Sequence, residues 1–454
     1  MTVFSWLRQL LGHTSEVPAK AGLSFGRSLT GAGKPILLDD STLRSHVSIS
    51  GRTGAGVSIL VEQLLTQQTE QGRGWVYIDP ACDQSLLERL AAAAKAQGRG
   101  DEFYVLDMHN PQNSNTYDVL RAGTPEERAI RALQVLPGAG NNPGAEFYAQ
   151  QCYGVLVPVL SAVDATGKTV GMRELGELLM QLESESGQQE LLDAIPAEHP
   201  ARGALLAALE SFRGAEEGNA TPLKNVIGGL AARLVIVGSD EYGNVINHTR
   251  PEIEFADILA HNKMCYVRLP VMASDSTMLS LARMVLHDVT TSVDARGTTP
   301  TRLRAPFLCV MDAFPAYGLS SSFRAPVNNT AYSLARGMSV SMVPVMAGMG
   351  WDRLREVYTD EEVQCLIGNT FTKVYFRQSQ DELTKELHPD MPESALESLT
   401  LGEFAMWKGA AAYRGLLSPS RATEHPSQFT KRAMAPGEER ERLQLATARE
   451  AVTA

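Results

Sequence analysis

The sequence predicts an α/β protein built on a mainly parallel β-sheet and interrupted by an all-α insertion. Three observations predict it. Short runs rich in β-branched residues alternate with longer helical patterns toward both ends of the chain, segments between about 141 and 235 show only 3.6-residue periodicity, and a glycine-rich turn joins a predicted strand to a predicted helix near residue 51. Alternation of this kind marks βαβ units, in which helices cover a parallel sheet.

The first predicted strand is "HVSIS" (46–50), followed by a helix over 59–70, the strand "WVYID" (75–79), a helix over 84–97 and the strand "FYVLD" (103–107). The segments "EFYAQQCYGVLVPVLSAV", "MRELGELLMQLES", "GALLAALESF" and "TPLKNVIGGLAARLVIV" then carry helical periodicity between Gly, Pro and Asp punctuation, and they place an all-α insertion at 141–245. The α/β rhythm resumes with "MCYVRL" (264–269), a helix near 276–294, "PFLCVMD" (306–312), a helix near 325–336, "SVSMVPVM" (339–346) and "TKVYFR" (372–377). Five units are expected: an N-terminal helix or tail over 1–24, a first α/β part over 25–140, the insertion, a second α/β part over 246–417, and a charged tail over 418–454 whose composition fits disorder or folding on a partner.

Composition narrows the function. The 454 residues hold two or three domains without covalent help, and the net charge of −11 argues against a protein that coats nucleic acid with its whole surface. A ring-shaped motor that confines basic residues to a pore stays compatible with it. Cys82, Cys152, Cys265, Cys309 and Cys365 stand singly, with no CxxC pair and no histidine cluster, so neither zinc nor a disulfide framework is suggested and a reducing cytoplasm is expected. No run approaches the roughly 18 apolar residues of a membrane-spanning helix. The stripe Phe4, Trp6, Leu7, Leu10 and Leu11 reads as a terminal helix packed on its own domain.

The candidate site is Gly51-Arg52-Thr53-Gly54-Ala55-Gly56-Val57-Ser58. A phosphate-binding loop needs a strand, glycines whose neighbouring N–H groups cradle phosphate oxygens, a lysine for the outer phosphates, and a Ser or Thr hydroxyl on magnesium. Every position but the lysine is met, because Val57 stands there. A second "GAGK" at 31–34 has Ser28 in place of the first glycine and Pro35 in place of the hydroxyl, and reads as an ordinary turn. "PFLCVMDAF" supplies an apolar strand ending in Asp312, the expected partner of Ser58 on magnesium, but Ala313 follows it where a motor needs an acid.

The stretches "HVSISGRTGAG", "GWVYIDPACD", "NNPGAEFYAQ", "RPEIEFADILAHNKMCYVRLP", "APFLCVMDAFPAYG" and "LIGNTFTKVYFR" resemble, in order and spacing, the conjugative coupling proteins of type IV secretion, the TraD/TraG-like branch of the FtsK/HerA motor superfamily. The resemblance covers 46–120 and 247–385. It implies a RecA-like P-loop motor domain with an inserted all-α domain, a hexameric ATPase that uses ATP and magnesium, and delivery of DNA or protein to a secretion channel at the inner membrane. Against that pattern the Walker A lysine is Val57, the acid after the Walker B aspartate is Ala313, the lysine of "DPKGD"-type stretches is Ala81, and the glutamine that senses the outer phosphate falls near Met349. Arg336 lies close to the family's subunit-bridging arginine, and its register is not settled by the sequence. The N-terminal transmembrane helices general in the family are expected to be absent.

These departures cluster on one chemical function, so the expected role is a pseudo-ATPase of the family: a cytoplasmic subunit, peripheral to the inner membrane through its partners, that oligomerises, meets type IV secretion or conjugation components including an active homologue, and binds ATP and magnesium weakly or not at all. If nucleotide binding is retained, Gly51, Arg52, Thr53, Gly54, Ala55, Gly56, Ser58 and Asp312 carry it. Two alternatives stay open. One is a working translocation motor in which Arg52 replaces the lysine, with Asp360 or Glu362 drawn in from far along the chain; the other is a soluble adaptor whose tail recruits substrates. Arg302 and Arg304 read as a solvated connection before the Asp312 strand, and nothing in the sequence reads bases.

Overall fold

The computed structural model describes residues 22–30, 33–137, 142–213, 222–271, 276–300, 303–317, 327–348, 351–392 and 394–418. The apolar stripe of residues 4–11, Arg302, Met349 and the tail beyond 418 lie outside them.

Eleven strands form one sheet: β1 (Leu23–Ser28), β2 (Pro35–Leu38), β3 (Val47–Gly51), β4 (Trp75–Asp79), β5 (Phe103–Asp107), β6 (Met264–Arg268), β7 (Phe307–Met311), β8 (Val340–Ala347), β9 (Thr372–Phe376), β10 (Glu403–Lys408) and β11 (Ala411–Leu416), in the order β2-β1-β11-β10-β9-β3-β8-β7-β4-β6-β5. From β9 to β5 all neighbours are parallel. β3, β4, β5, β6 and β7 are buried at every position, as strands with both faces covered must be. The sheet is the mainly parallel one expected, with an antiparallel extension, β10, β11, β1 and β2, that periodicity did not announce.

Helices of eight residues or more are α1 (Val57–Glu70), α2 (Gln84–Ala96), α3 (Pro125–Ala132), α4 (Pro143–Ala165), α5 (Met172–Gln181), α6 (Glu185–Ala194), α7 (Pro200–Arg213), α8 (Leu223–Val237), α9 (Ser276–Thr291), α10 (Asn329–Gly337) and α11 (Asp360–Asn369). α1 and α2 cover one sheet face through Leu60, Val61, Leu64, Leu65, Leu86, Leu87 and Leu90. The other face shares a continuous core with the helices from α3 to α9, in which Leu175, Leu179, Leu230 and Leu234 are fully buried. Alternation along β4 divides the two cores, Trp75 and Tyr77 to the first and Val76 and Ile78 to the second.

The starts of β3, β7 and β8 are fastened by buried side chains. Arg304 is buried, not solvated as its sequence context suggests: its guanidinium donates to the carbonyls of Thr299, Gly337 and Gly297. Arg296 beside it donates to Leu259, Ala305 and Met338. Most of these carbonyls are left over at helix ends, where the helix dipole favours a cation.

His46, fully buried just before β3, accepts from the Met342 N–H at Nδ1 (3.0 Å) and so donates from Nε2 to the Tyr332 carbonyl (3.0 Å). Burial, with the charge of Arg336 nearby, lowers its pKa from 6.5 to about 4. A depressed histidine stabilises the fold above the unfolded pKa, and that contribution is lost as pH falls toward the folded value. Between pH 7 and 5, His46 should cost about 2 kcal/mol of stability, and His46→Gln should flatten that part of the acid limb in denaturation curves. An unchanged slope would refute the assignment.

Candidate functional site

The parallel strands end along one edge of the sheet, the edge where open α/β folds place their ligands. The chain leaves β3 at the buried Gly51 and turns through Arg52, Thr53 and Gly54, all exposed, before Ala55 and Gly56 become buried again at the start of α1. Gly54 and Gly56 have φ of 76° and 117°, a region open to glycine at little cost. No side chain caps α1 and no acid lies in its first turn. Ser58, the second helical residue, is exposed.

Four contacts hold the loop. Arg52 N–H donates to the Arg377 carbonyl after β9 (2.9 Å), Ala55 N–H to the Arg52 carbonyl (3.0 Å), Gly348 N–H to the Gly51 carbonyl (2.8 Å), and Gly402 N–H to the Ala55 carbonyl (3.0 Å). A Cβ on Gly56 would meet Gly402 Cα, Phe376 Cε1 and Leu417 Cδ1 at 3.2–3.3 Å, so the root of the C-terminal hairpin packs against the loop. Ser418, the last described residue, accepts from Gln63 of α1 at 2.7 Å.

Val57 is 4% exposed and belongs to the core under α1. Its Cγ2 would lie 2.9 Å from a Cβ built on Gly51, which locates its side chain against the end of β3. An apolar group therefore occupies the position from which a lysine reaches outward.

Asp312 follows β7, separated from β3 by β8 alone, and is 8% exposed. Its Oδ2 accepts from the Tyr77 hydroxyl (2.9 Å), its Oδ1 from the Ala313 N–H (2.7 Å), and its carbonyl from the Tyr317 hydroxyl (2.7 Å). Burial raises its pKa to about 6. Ala313 is itself buried, with φ 45°. The same pattern is repeated along the edge. Asp79 accepts from Tyr266 (2.7 Å) and from the N–H groups of Ala81, Cys82 and Asp83, while Asp107 pairs with Arg268 at 2.6 Å. Three strands thus end in an aspartate bound to its neighbours, and the repeated endings "YID", "VLD" and "VMD" were the sequence signal for it.

Arg336 lies in the last turn of α10, close enough to His46 for its charge to act there, and so at the opposite end of β3 from the glycine-rich loop. Glu362 closes a capping box with Thr359, its carboxylate accepting from the Thr359 N–H, and Asp360 lies in the same first turn of α11. Residues that sequence reading overlooked are Tyr77, Tyr266, Arg268, Arg377 and the Gly402–Leu417 clasp; only the three aspartate endings pointed toward any of them.

The donor set departs from the phosphate-loop pattern read from the sequence. The cation position is a buried valine, the magnesium-site carboxylate has a donor on each oxygen, and the position after it carries no charge. Among the described residues no group of three or more His, Cys, Asp or Glu side chains is placed to hold a metal, and no helix is long and apolar enough to cross a membrane.

No protein-family model matches the chain. Over 404 residues, 78% of its length, it is 20% identical to the type 4 coupling protein DotL of Legionella pneumophila, and it spans about half the length of that curated relative (50%). The plasmid coupling protein TrwB in complex with ADP and Mg2+ shares its fold with a TM-score of 0.59 at 16% identity, over 95% of this chain and 96% of that one. TrwB in complex with the non-hydrolysable ATP analogue ADPNP gives 0.60 at 16%, over 96% and 94%. VirB4 of Thermoanaerobacter pseudethanolicus gives 0.54 at 12%, over 89% and 98%. The chain is thus similar in sequence to a type IV coupling protein and shares the fold of the coupling protein TrwB.

Proposed function

We propose that the chain is a catalytically degenerate coupling-protein subunit of a type IV secretion or conjugative transfer system, which keeps the motor fold for assembly, regulation or recruitment and does not turn over ATP. The observation that carries this reading is the inward-packed Val57 together with the doubly bonded, buried Asp312. Phosphoryl transfer is catalysed almost wholly by positioning and electrostatic stabilisation. Removing one well-aimed donor typically costs about 100- to 1000-fold in rate. Lysine and acid are both missing here, and although such losses do not add, little turnover is left. On this reading residues 141–245 act as the inserted helical domain, the subunit assembles with itself or with an active homologue, and it works at the periphery of the inner membrane through those partners.

The working-motor reading has one observation in its favour, the exposure of Arg52 on the loop. Magnesium-dependent ATP hydrolysis separates the two. The chain as it stands should show no turnover above buffer, and a Val57→Lys/Ala313→Glu variant, folded by circular dichroism, should gain at least about 100-fold. Turnover by the unaltered chain on the order of one per second, ordinary for such enzymes, would overturn the proposal. An adaptor role for the tail is read separately, as loss of partner binding on deletion of residues 419–454 with the loop untouched.

A further inference from the structure

We propose that the open face of the antiparallel extension, over β11, β1 and β2, is the docking surface for the apolar stripe of residues 4–11 of the same chain. Nothing in this depends on the nucleotide site, and the stripe is a motif to which the proposed function gives no role.

The two faces of the extension are covered unequally. On the face that carries α1, Leu23 and Phe25 of β1 and Ile36 and Leu38 of β2 join the core beneath that helix. On the opposite face the cover stops at β10, whose Ala405 and Trp407 still pack against the helical core. Strand pairing sets which side chains lie beyond that limit. Ala412, Arg414 and Leu416 stand opposite Trp407, Ala405 and Glu403, Arg27 stands opposite Leu416, and Pro35 opposite Arg27, so all five share that face. Leu37, two residues beyond Pro35, shares it too. All six are exposed, Leu37 by 58% and Leu416 by 40%. β2 is also the edge of the sheet, and proteins shield such edges by laying a helix or loop against them.

The first residues of the chain fit this place in position, length and chemistry. Residues 1–21 precede Gly22 and β1 directly. Gly22 lies beside the last residue of β2: its carbonyl accepts from Gln71 Nε2 at 3.3 Å, and a Cβ on it would meet the Leu38 carbonyl oxygen at 2.5 Å. Phe4, Leu7, Leu10 and Leu11 recur at the helical period. Eight residues in helical form run about 12 Å, close to the roughly 10 Å from the first to the third of strands about 4.8 Å apart. Residues 12–21 span up to about 35 Å when extended, enough to round the edge strand. So short a tether holds the stripe near the face at an effective concentration on the order of millimolar, which favours the chain's own segment over that of a second copy. The C-terminal tail departs from the other face, where Ser418 accepts from Gln63 of α1.

The test is disulfide trapping in the full chain carrying Leu10→Cys with Leu37→Cys, against a control carrying Leu10→Cys with Ile236→Cys, since Ile236 is 65% exposed on α8. At micromolar protein, mild oxidation should close the first pair within one chain at least about tenfold faster than the second, with peptide mapping to identify the bond. Hydrogen exchange read by mass spectrometry is independent of it. Leu7→Glu in the otherwise unaltered chain should speed exchange in β2 and β11 about tenfold and leave β4 and β6 unchanged. Equal trapping rates, or exchange that Leu7→Glu does not alter, would overturn the proposal. Bonds formed with a heavy-isotope copy would give the face to a second chain, and sedimentation of the parent with phosphatidylglycerol vesicles, abolished by Leu7→Glu and without trapping, would give the stripe to a membrane; each overturns it as well.

Discussion

Arg268→Ala is expected to cost about 3–5 kcal/mol of folding stability, because it strands a buried charge. The Arg268 and Asp107 side chains are 5% and 3% exposed, and their 2.6 Å contact joins the ends of β6 and β5. The other guanidinium nitrogen donates to the Cys82 carbonyl at 2.8 Å, holding the turn that follows β4. With the arginine gone, Asp107 keeps the Asn110 N–H (2.8 Å) as a donor to its carboxylate, too little to replace a cation. Urea unfolding measures the loss, and thiol labelling reads the turn independently. Burial pushes the Cys82 thiol up to about 12, so it should label slowly in the parent and faster in the variant. A loss under about 1 kcal/mol would show that water reaches the pair and that the buried-charge argument fails.

Arg131→Ala should be as damaging, because it strands a buried charge between two helices that cover the sheet. Arg131 on α3 is fully buried and pairs with Asp288 on α9, which is 2% exposed, and its second nitrogen donates to the Ala122 carbonyl. Asp288 also accepts from the Tyr117 hydroxyl at 2.6 Å. Burial raises the Asp288 pKa although Arg131 opposes it. Without Arg131 that opposition is gone, and a loss of about 3–5 kcal/mol is expected near neutral pH. The pH dependence identifies the cause. A carboxyl whose folded pKa is raised contributes stability that is present below its unfolded value and is lost as pH rises through the folded one. The deficit of the alanine variant should therefore shrink between pH 8 and pH 5. Pairing Arg131→Met with Asp288→Asn should recover more than half of it, since the amide oxygen still accepts from Tyr117 and no charge remains buried. A deficit that ignores pH would assign the damage to lost packing.

Two kinds of element were legible before any coordinates. β3, β4, β5, β6, β7, β8 and β9 all lie where short β-branched runs placed them, because strands covered on both faces are apolar at successive positions and stand out from their flanks. α1 begins at Val57, two residues earlier than its pattern suggests, since the first turn of a helix lies under the glycine loop and carries little periodicity of its own. The antiparallel extension was not legible. β11 is exposed at five of its six positions and β2 alternates over four residues only, so neither bears a signal above that of a loop.

The site divides in the same way. Residue types alone identified the loop and the valine at its lysine position, because a phosphate loop is a local motif within eight consecutive residues, and an apolar strand ending in an acid identified Asp312 and the uncharged Ala313 after it. They could not show where Val57 points, that Tyr77 and Ala313 occupy the two oxygens of Asp312, that Arg304 is buried among carbonyls, or that Arg377 stands beside Arg52. The Asp312–Tyr77, Arg304–Gly337 and Arg52–Arg377 contacts join segments from 33 to 325 residues apart, and such neighbours are set by strand order. The sequence by itself determined the α/β class and which residues stand at the phosphate-loop positions, since both are written in local pattern and residue type. Tertiary structure alone decided which charges are buried and which are paired, since pairing and desolvation arise only when distant segments are packed together.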